Sequence, residues 1–279
     1  MILRAVCAAL VLACAAPVTS PARSEPAAIA PEVMDRIWQV MDMDGALAVM
    51  RDEGLAVSAD VAETYLPTRR GRGWEQAVAE IYDPARMHTL VREAFAADFA
   101  GADAAPVIDF FGGDTGQRII ALELSARRAF LDEDTEAAAR ARLRDGSVPE
   151  RRAELIDRFI EVNDLIAFNT SGALNTNFAF LSGLATAPLF EMSEADILAR
   201  VYGDAEETSA DTAEWLRAYL TMAYQPLSDA ELEAYIAFSD RPAGRRVNRA
   251  LFAGFGKMYD RQYHALGRAV AQQLSGQDL

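Results

Sequence analysis

Residues 228–274 read SDAELEAYIAFSDRPAGRRVNRALFAGFGKMYDRQYHALGRAVAQQL, and this stretch decides the fold. Ser228 and Glu231 form an S-x-x-E capping box, which marks the start of a helix. Pro242 then sets the first turn of a second helix, because a proline at that position needs no hydrogen-bond acceptor. In the second helix apolar residues recur about every 3.5 residues, which predicts a long helix with one seam packed against partner helices. The seam positions are Val247, Leu251, Phe255, Met258/Tyr259, Tyr263, Leu266, Val270 and Leu274.

Helical periods continue through most of the chain upstream of this stretch. A helix is predicted from Pro31 onward, and a short one around Met50 is predicted to end at Gly54. Asp83 followed by Pro84 is a further helix start, with an N-cap and a proline at the first helical position. No segment alternates convincingly with period two, so we expect an all-α bundle of about 8–11 helices.

A weak internal repeat relates two parts of the chain. Shifting the sequence by 128 residues aligns 85–132 with 213–260 and pairs one ordered run, I-x-F-x5-G-x-R. The run comprises Ile108, Phe110, Gly116 and Arg118 in the first copy and Ile236, Phe238, Gly244 and Arg246 in the second. Such a repeat is typical of two similar helical units packed together. We therefore expect an N-terminal unit over 31–146 and a C-terminal unit over 147–279.

The second copy also resembles a known family. Residues 227–252 combine an acidic capped helix that ends in an aromatic residue, a turn with Pro-Ala-Gly, and a long amphipathic helix. The matching positions are Leu227, Glu231, Leu232, Ile236, Phe238, Pro242, Ala243, Gly244 and Arg246. This stretch resembles the C-terminal module of the family catalogued as domain of unknown function 2059, over about 60 residues, with Arg241 where the family more often has a small capping residue. The resemblance implies an exported, all-helical bacterial protein and carries over no catalytic residue.

The first 24 residues are predicted to be a signal peptide. Arg4 precedes an uncharged apolar run that is too short to span a bilayer, and small residues suited to cleavage lie between positions 15 and 24. Residues 25–30 are expected to form a linker. A competing interpretation makes Cys14 a lipid-modified first residue, because 11–14 resembles a lipobox. Both predict a periplasmic, secreted or envelope-bound protein.

Composition excludes several classes of function. The 279 residues carry a formal net charge of −15, with only 2 Cys and 2 His. An acidic chain is repelled by nucleic acid, and the few soft ligands argue against a zinc or haem site. Both Cys lie in the predicted signal peptide, so the mature chain would depend on core burial rather than disulfides.

Residues 165–190 contain no formal charge over 26 residues. Their length permits a membrane span, but the asparagines and threonines in the middle of the stretch are costly in lipid. The sequence favours a helix buried on all sides of a bundle, with Gly172 and Gly183 allowing neighbouring helices to approach closely.

Few residues suggest chemistry. His88 and His264 have no Ser or Cys arrangement around them in the sequence that indicates a triad, so both are interpreted as surface or helix-flank histidines. Asp157, Glu161 and Asp164 share a helix face, which suits an acidic stripe paired with arginines better than a calcium or magnesium site. We therefore predict no catalytic, cofactor-binding or metal-binding residue.

These observations predict a non-enzymatic binding or scaffolding protein of the bacterial envelope. Its partner would be an envelope protein or a glycan, with no cofactor and no transmembrane helix after the signal peptide. Two alternatives stay open: a carboxylate-dependent hydrolase of cell-wall material, and a lipid-anchored envelope protein.

Overall fold

The computed structural model describes residues 27–67, 71–188 and 190–276. The predicted signal peptide, including Cys14, lies outside these residues. The described residues form thirteen helices and no strand, which confirms the all-α class and exceeds the expected number of helices. In chain order they are α1 (Pro31–Val40), α2 (Met43–Tyr65), α3 (Arg72–Ile81), α4 (Pro84–Phe99), α5 (Ala105–Gly112), α6 (Asp114–Ala129), α7 (Glu133–Arg144), α8 (Glu150–Val162), α9 (Leu165–Leu184), α10 (Glu194–Gly203), α11 (Ala205–Ala223), α12 (Asp229–Ser239) and α13 (Pro242–Ser275).

The predicted helix starts are confirmed at the positions where the sequence contains a capping residue. The Asp83 side chain accepts a hydrogen bond from the Arg86 backbone N–H at the start of α4. At the start of α12, the backbone N–H of Ser228 donates to the Glu231 carboxylate, and the Ser228 hydroxyl accepts from the backbone N–H of Glu231. Pro242 stands in the first turn of α13. These caps depend on local chemistry alone, and local sequence therefore predicts them.

Gly54 does not end a helix, and that prediction is wrong. Helix α2 continues through it for 23 residues, and the ring of Tyr82 lies against the glycine. A Cβ on Gly54 would stand 2.0 Å from Cε1 of Tyr82, so the glycine makes room for a buried ring inside the helix. Two other boundaries, at Asp42 and Asp164, have positive φ at a residue other than glycine, and sequence pattern gives no warning of them.

Helix α13 is the central element and packs on both α4 and α9. The predicted seam is buried or partly buried along its whole length. A second set of small residues on the same helix, including Ala250, Gly254 and Gly267, is buried as well, so the helix contacts neighbours along more than one seam. Helices of both predicted units contribute to one hydrophobic cluster.

Helix α9 differs from the prediction for residues 165–190. It is not buried on all sides, because Ala167, Ser171, Asn175 and Asn177 are exposed. Gly183 is at a close helix contact, as expected, whereas a Cβ on Gly172 would meet no atom within 4 Å. Among the described helices, none combines the length and apolar character that crossing a bilayer requires.

Candidate functional site

The two I-x-F-x5-G-x-R runs build two helix pairs with matching geometry, α5 with α6 and α12 with α13. In each pair a glycine lies against the end of the preceding helix. A Cβ on Gly116 would be 2.2 Å from the carbonyl oxygen of Phe110, and a Cβ on Gly244 would be 2.3 Å from that of Phe238. Both glycines are therefore needed because only a hydrogen fits at the contact.

The arginines of the two runs reach across to the opposite pair. Arg118 donates to the carbonyl oxygen of Pro226, just before α12, at 2.5 Å and binds the Glu231 carboxylate at 2.6 Å. Arg246 donates in turn to the carbonyl oxygen of Ala100, before α5, at 3.2 Å. Each arginine thus joins the second helix of one pair to the segment that leads into the other pair.

The aromatic residues of the two runs meet face to face. The rings of Phe110 and Phe238 stack with centroids 4.2 Å apart and an interplanar angle of 6°. The ring of Tyr235 also stacks on that of Phe110, with the ring centroids 5.6 Å apart. Ile108 is partly buried and Ile236 is buried. The predicted motif residues therefore lie together, and their described contacts are ring packing, hydrogen bonds at helix ends, and the ion pairs of Arg118 with Glu231 and of Arg246 with Asp98.

A polar network lies beside this contact, on α2, α6 and α13 and at the residue that follows α11. Arg127 donates through Nε and Nη2 to the two carboxylate oxygens of Glu53, at 2.5 and 2.9 Å, and through Nη2 to the Tyr259 hydroxyl at 3.0 Å. One turn earlier on α6, the Glu123 carboxylate accepts from the Tyr224 hydroxyl at 2.6 Å. Burial raises the pKa of Glu123 to about 7, against the opposing effect of the hydrogen bond from Tyr224.

The raised pKa of Glu123 predicts a stability that depends on pH. The folded chain holds this proton more tightly than the unfolded chain, whose carboxyl titrates near its ordinary value of 4.5. The contribution is therefore fully present below about pH 4.5 and is lost as pH rises toward 7. We expect the free energy of unfolding to fall by about 2–3 kcal/mol over this interval from Glu123 alone.

Urea unfolding of the wild type and of Glu123→Gln at pH 5 and pH 8 measures this effect. The difference between the two pH values shrinks in Glu123→Gln, since the amide does not titrate. Glu133→Gln, an exposed carboxylate on α7, is the matched control and keeps the wild-type difference. An unchanged difference in Glu123→Gln would show that Glu123 titrates normally in the folded chain.

A groove of about 750 Å³ lies between α4 and α9, with α13 along it. Helices α9 and α13 run side by side in the same direction, since Phe168 stacks on Phe252 at 4.6 Å and a Cβ on Gly183 would be 2.1 Å from the carbonyl oxygen of His264. Helix α4 runs the opposite way along α13, with Asp98 binding Arg249 and Val91 against Gly254. The groove lies beside residues 260–265 of α13, between the first two turns of α4 and the second half of α9.

Polar groups without partners line this groove. Gln262 is 3% exposed, and within the part of the chain that the structure describes its Nε2 has no hydrogen-bond partner. Among those same residues, the side chains of Asp260, Arg261 and His264 form no hydrogen bond or ion pair. An unsatisfied buried amide costs about 1–3 kcal/mol, but this nitrogen is closed to solvent, so an acceptor in the groove would reach it only after the side chain turned outward. The remaining lining residues are Ile81, Arg86, Leu90, Asn175, Phe178, Ala179, Ser182 and Ala265.

The two histidines have different surroundings. His88 is partly buried, with its ring against Trp38 at 5.0 Å in an edge-to-face contact. His264 lines the groove in the company of Ser182 and Asp260, a juxtaposition that the sequence did not suggest. No hydrogen bond joins these three side chains to one another in the described structure.

The acidic face of α8 is paired with arginines. Asp157 binds Arg217 at 2.8 Å and Glu161 binds Arg158 at 2.9 Å. Asp164 stands at the left-handed boundary before α9. Within the described residues, no cluster of His, Cys, Asp and Glu could hold a metal ion.

Sequence reasoning missed Gln262, although one pattern could have found it. Met258, Gln262, Leu266 and Val270 follow one another at steps of four on α13, and all four are buried. A glutamine in an otherwise apolar row marks a polar group held inside the fold. Asp260 and Arg261 flank it in the sequence and turn toward the same groove.

The chain was compared with protein-family models, curated proteins and solved structures, and none of them matches it.

Proposed function

We propose that the protein is an exported, non-enzymatic binding protein of the bacterial envelope that takes its ligand in the groove between α4, α9 and α13. The single observation that carries this proposal is the groove itself, along which the side chains of Asp260, Arg261 and His264 have no hydrogen-bond or ion-pair partner among the described residues. The volume of the groove, about 750 Å³, falls in the range of small-molecule sites, which is about 300–1,000 Å³.

Export and family membership belong to the same proposal. The charged start and short apolar run of residues 1–24 support cleavage by a signal peptidase. The Ser228–Glu231 capping box and the Gly244 contact with Phe238 support the resemblance to domain of unknown function 2059, because both are features of the matched segment.

The internal repeat supports a two-fold arrangement of duplicated units. Gly116 and Gly244 lie in equivalent contacts, Phe110 stacks on its counterpart Phe238, and Arg118 and Arg246 make exchanged contacts with the opposite pair. Duplication of a gene for one helical unit would place two similar units in one chain. If the two units pack against each other as the subunits of a dimer do, all three features result. We include this duplication in the proposal.

A hydrolase with two carboxylates receives less support from the groove. Such a mechanism needs two carboxyl groups about 5–9.5 Å apart. Asp260 is the one carboxylate among the described residues that line the groove. The groove therefore suits binding better than that reaction.

Native mass spectrometry of the full chain, purified from the envelope of its own cells, tests the binding function. We expect a bound small molecule on the wild type that is absent from Asn175→Trp, because the indole would fill the groove from its exposed rim. Asn177→Trp is the matched control, since Asn177 is exposed on the same helix and does not line the groove. A wild type without adduct, or an adduct that Asn175→Trp retains, would overturn binding in this groove.

The intact mass in the same experiment reports the mature N-terminus. We expect cleavage after a residue between 15 and 24. A mass that begins at a lipid-modified Cys14 would favour the anchored alternative, and an uncleaved Met1 chain in the cytosol would contradict export.

A further inference from the structure

The groove is a local site of positive charge on an acidic protein. The whole chain carries −15, yet Arg86 and Arg261 both line the groove, against one carboxylate, Asp260, among the described lining residues. Both arginines are exposed, and among the described residues Arg86 makes one side-chain hydrogen bond, a long one of 3.4 Å to the carbonyl oxygen of Glu80. Two guanidinium groups without carboxylate partners in the described structure are available to an anion.

The hydrogen-bonding groups also favour an acceptor. The amide nitrogen of Gln262 only donates, but it is closed to solvent, so it does not face a ligand in this structure. The guanidinium groups of Arg86 and Arg261 likewise only donate. A carboxylate is acceptor-only when ionised, so it complements the two arginines.

The rest of the wall is apolar. Ile81 is buried, and Leu90, Phe178 and Ala265 are partly buried at the groove. An aliphatic or aromatic group placed there would lose water contact at about 25 cal/mol per Å² of apolar surface. A ligand that is charged throughout would leave this surface unused.

We propose that the ligand is a small amphipathic organic anion, with its carboxylate bound by Arg86 and Arg261 and its apolar part against Leu90 and Phe178. This inference rests on the proposed function, because it names the chemical class of the molecule that the groove binds. Asp260 then disfavours a second anionic group, which restricts the ligand to one negative end.

The fluorescent dye 8-anilinonaphthalene-1-sulfonate serves as the probe, since it is itself an anion with apolar rings. The dye is titrated into the full chain and then displaced by decanoate, decylamine or decyl glucoside, which share a ten-carbon tail and differ in head-group charge. We expect decanoate to displace the dye at concentrations about tenfold lower than the other two, because a charged hydrogen bond contributes about one power of ten in affinity.

Variants locate the bound anion. Arg86→Ala and Arg261→Ala are each expected to weaken decanoate binding about tenfold, whereas Arg268→Ala, at an exposed arginine on α13 outside the groove lining, leaves it unchanged. Equal displacement by all three amphiphiles, abolished by Asn175→Trp, would overturn the anion class and leave groove binding in place. Dye binding that Asn175→Trp does not change would overturn both.

Discussion

Replacing Gly183 by alanine is expected to destabilise the protein by about 3 kcal/mol or more, because the added methyl group has no space to occupy. A Cβ at this position would be 2.1 Å from the carbonyl oxygen of His264 and 3.0 Å from the backbone nitrogen of Arg268. Both are backbone atoms, so no side-chain rotation relieves the overlap. Helices α9 and α13 would have to separate, and the groove beside them would widen.

Gly267 on α13 lies on the other side of the same helix contact, and we expect the same result there. A Cβ on Gly267 would be 2.1 Å from the carbonyl oxygen of Phe180 and 2.8 Å from the backbone nitrogen of Leu184. Gly267→Ala is therefore expected to cost as much as Gly183→Ala. The double variant should cost less than the sum of the two, since one separation of the helices accommodates both methyl groups.

Each helix supplies its own control. Gly172 on α9 and Gly256 on α13 have no atom within 4 Å of an added Cβ. Alanine at either position is expected to stabilise the protein by about 0.5–1 kcal/mol through its higher helix propensity. Urea midpoints at a constant m-value measure all four variants. If Gly183→Ala and Gly172→Ala had similar midpoints, the close contact between α9 and α13 would be wrong.

The contrast between Gly172 and Gly183 shows what sequence alone reveals of the fold. Both glycines stand in an uncharged segment and look equivalent, and only the path of α13 separates them. Caps such as Asp83 and Ser228 are predictable because the partner lies three residues away. A helix crossing depends on residues about 80 positions apart, and no local pattern encodes it.

The groove could not be predicted from the sequence for the same reason, because it depends on how distant helices cross. His264 could be singled out, but its neighbours at the groove come from α3, α4 and α9, and Ser182 reaches it only through the parallel course of α9 and α13. The repeat was the one long-range relation that the sequence indicated. It pairs Phe110 with Phe238, and these two rings are in contact.

Replacing Phe238 by alanine is the second change with a large expected effect. The ring is 4% exposed, stacks on Phe110 at 4.2 Å and meets Phe111 edge-to-face at 5.4 Å. Loss of a buried phenylalanine costs about 3–5 kcal/mol, through lost transfer energy and the cavity that remains. Urea unfolding of Phe238→Ala is expected to show a loss in this range, and Phe110→Ala a smaller one, because Phe110 is only partly buried.

The double-mutant cycle of Phe110→Ala and Phe238→Ala tests whether the two motifs stabilise each other. Stacked aromatic pairs contribute about 0.5–1.5 kcal/mol beyond burial, so the double variant should lose less than the two single variants together by that amount. Phe168→Ala is the control partner, since Phe168 stacks on Phe252 and shares no ring contact with Phe238; its effect should add to that of Phe238→Ala. A cycle without coupling between Phe110 and Phe238 would mean that the two rings fill space independently. The face-to-face contact would then lose its value as support for duplicated units that pack as a dimer does.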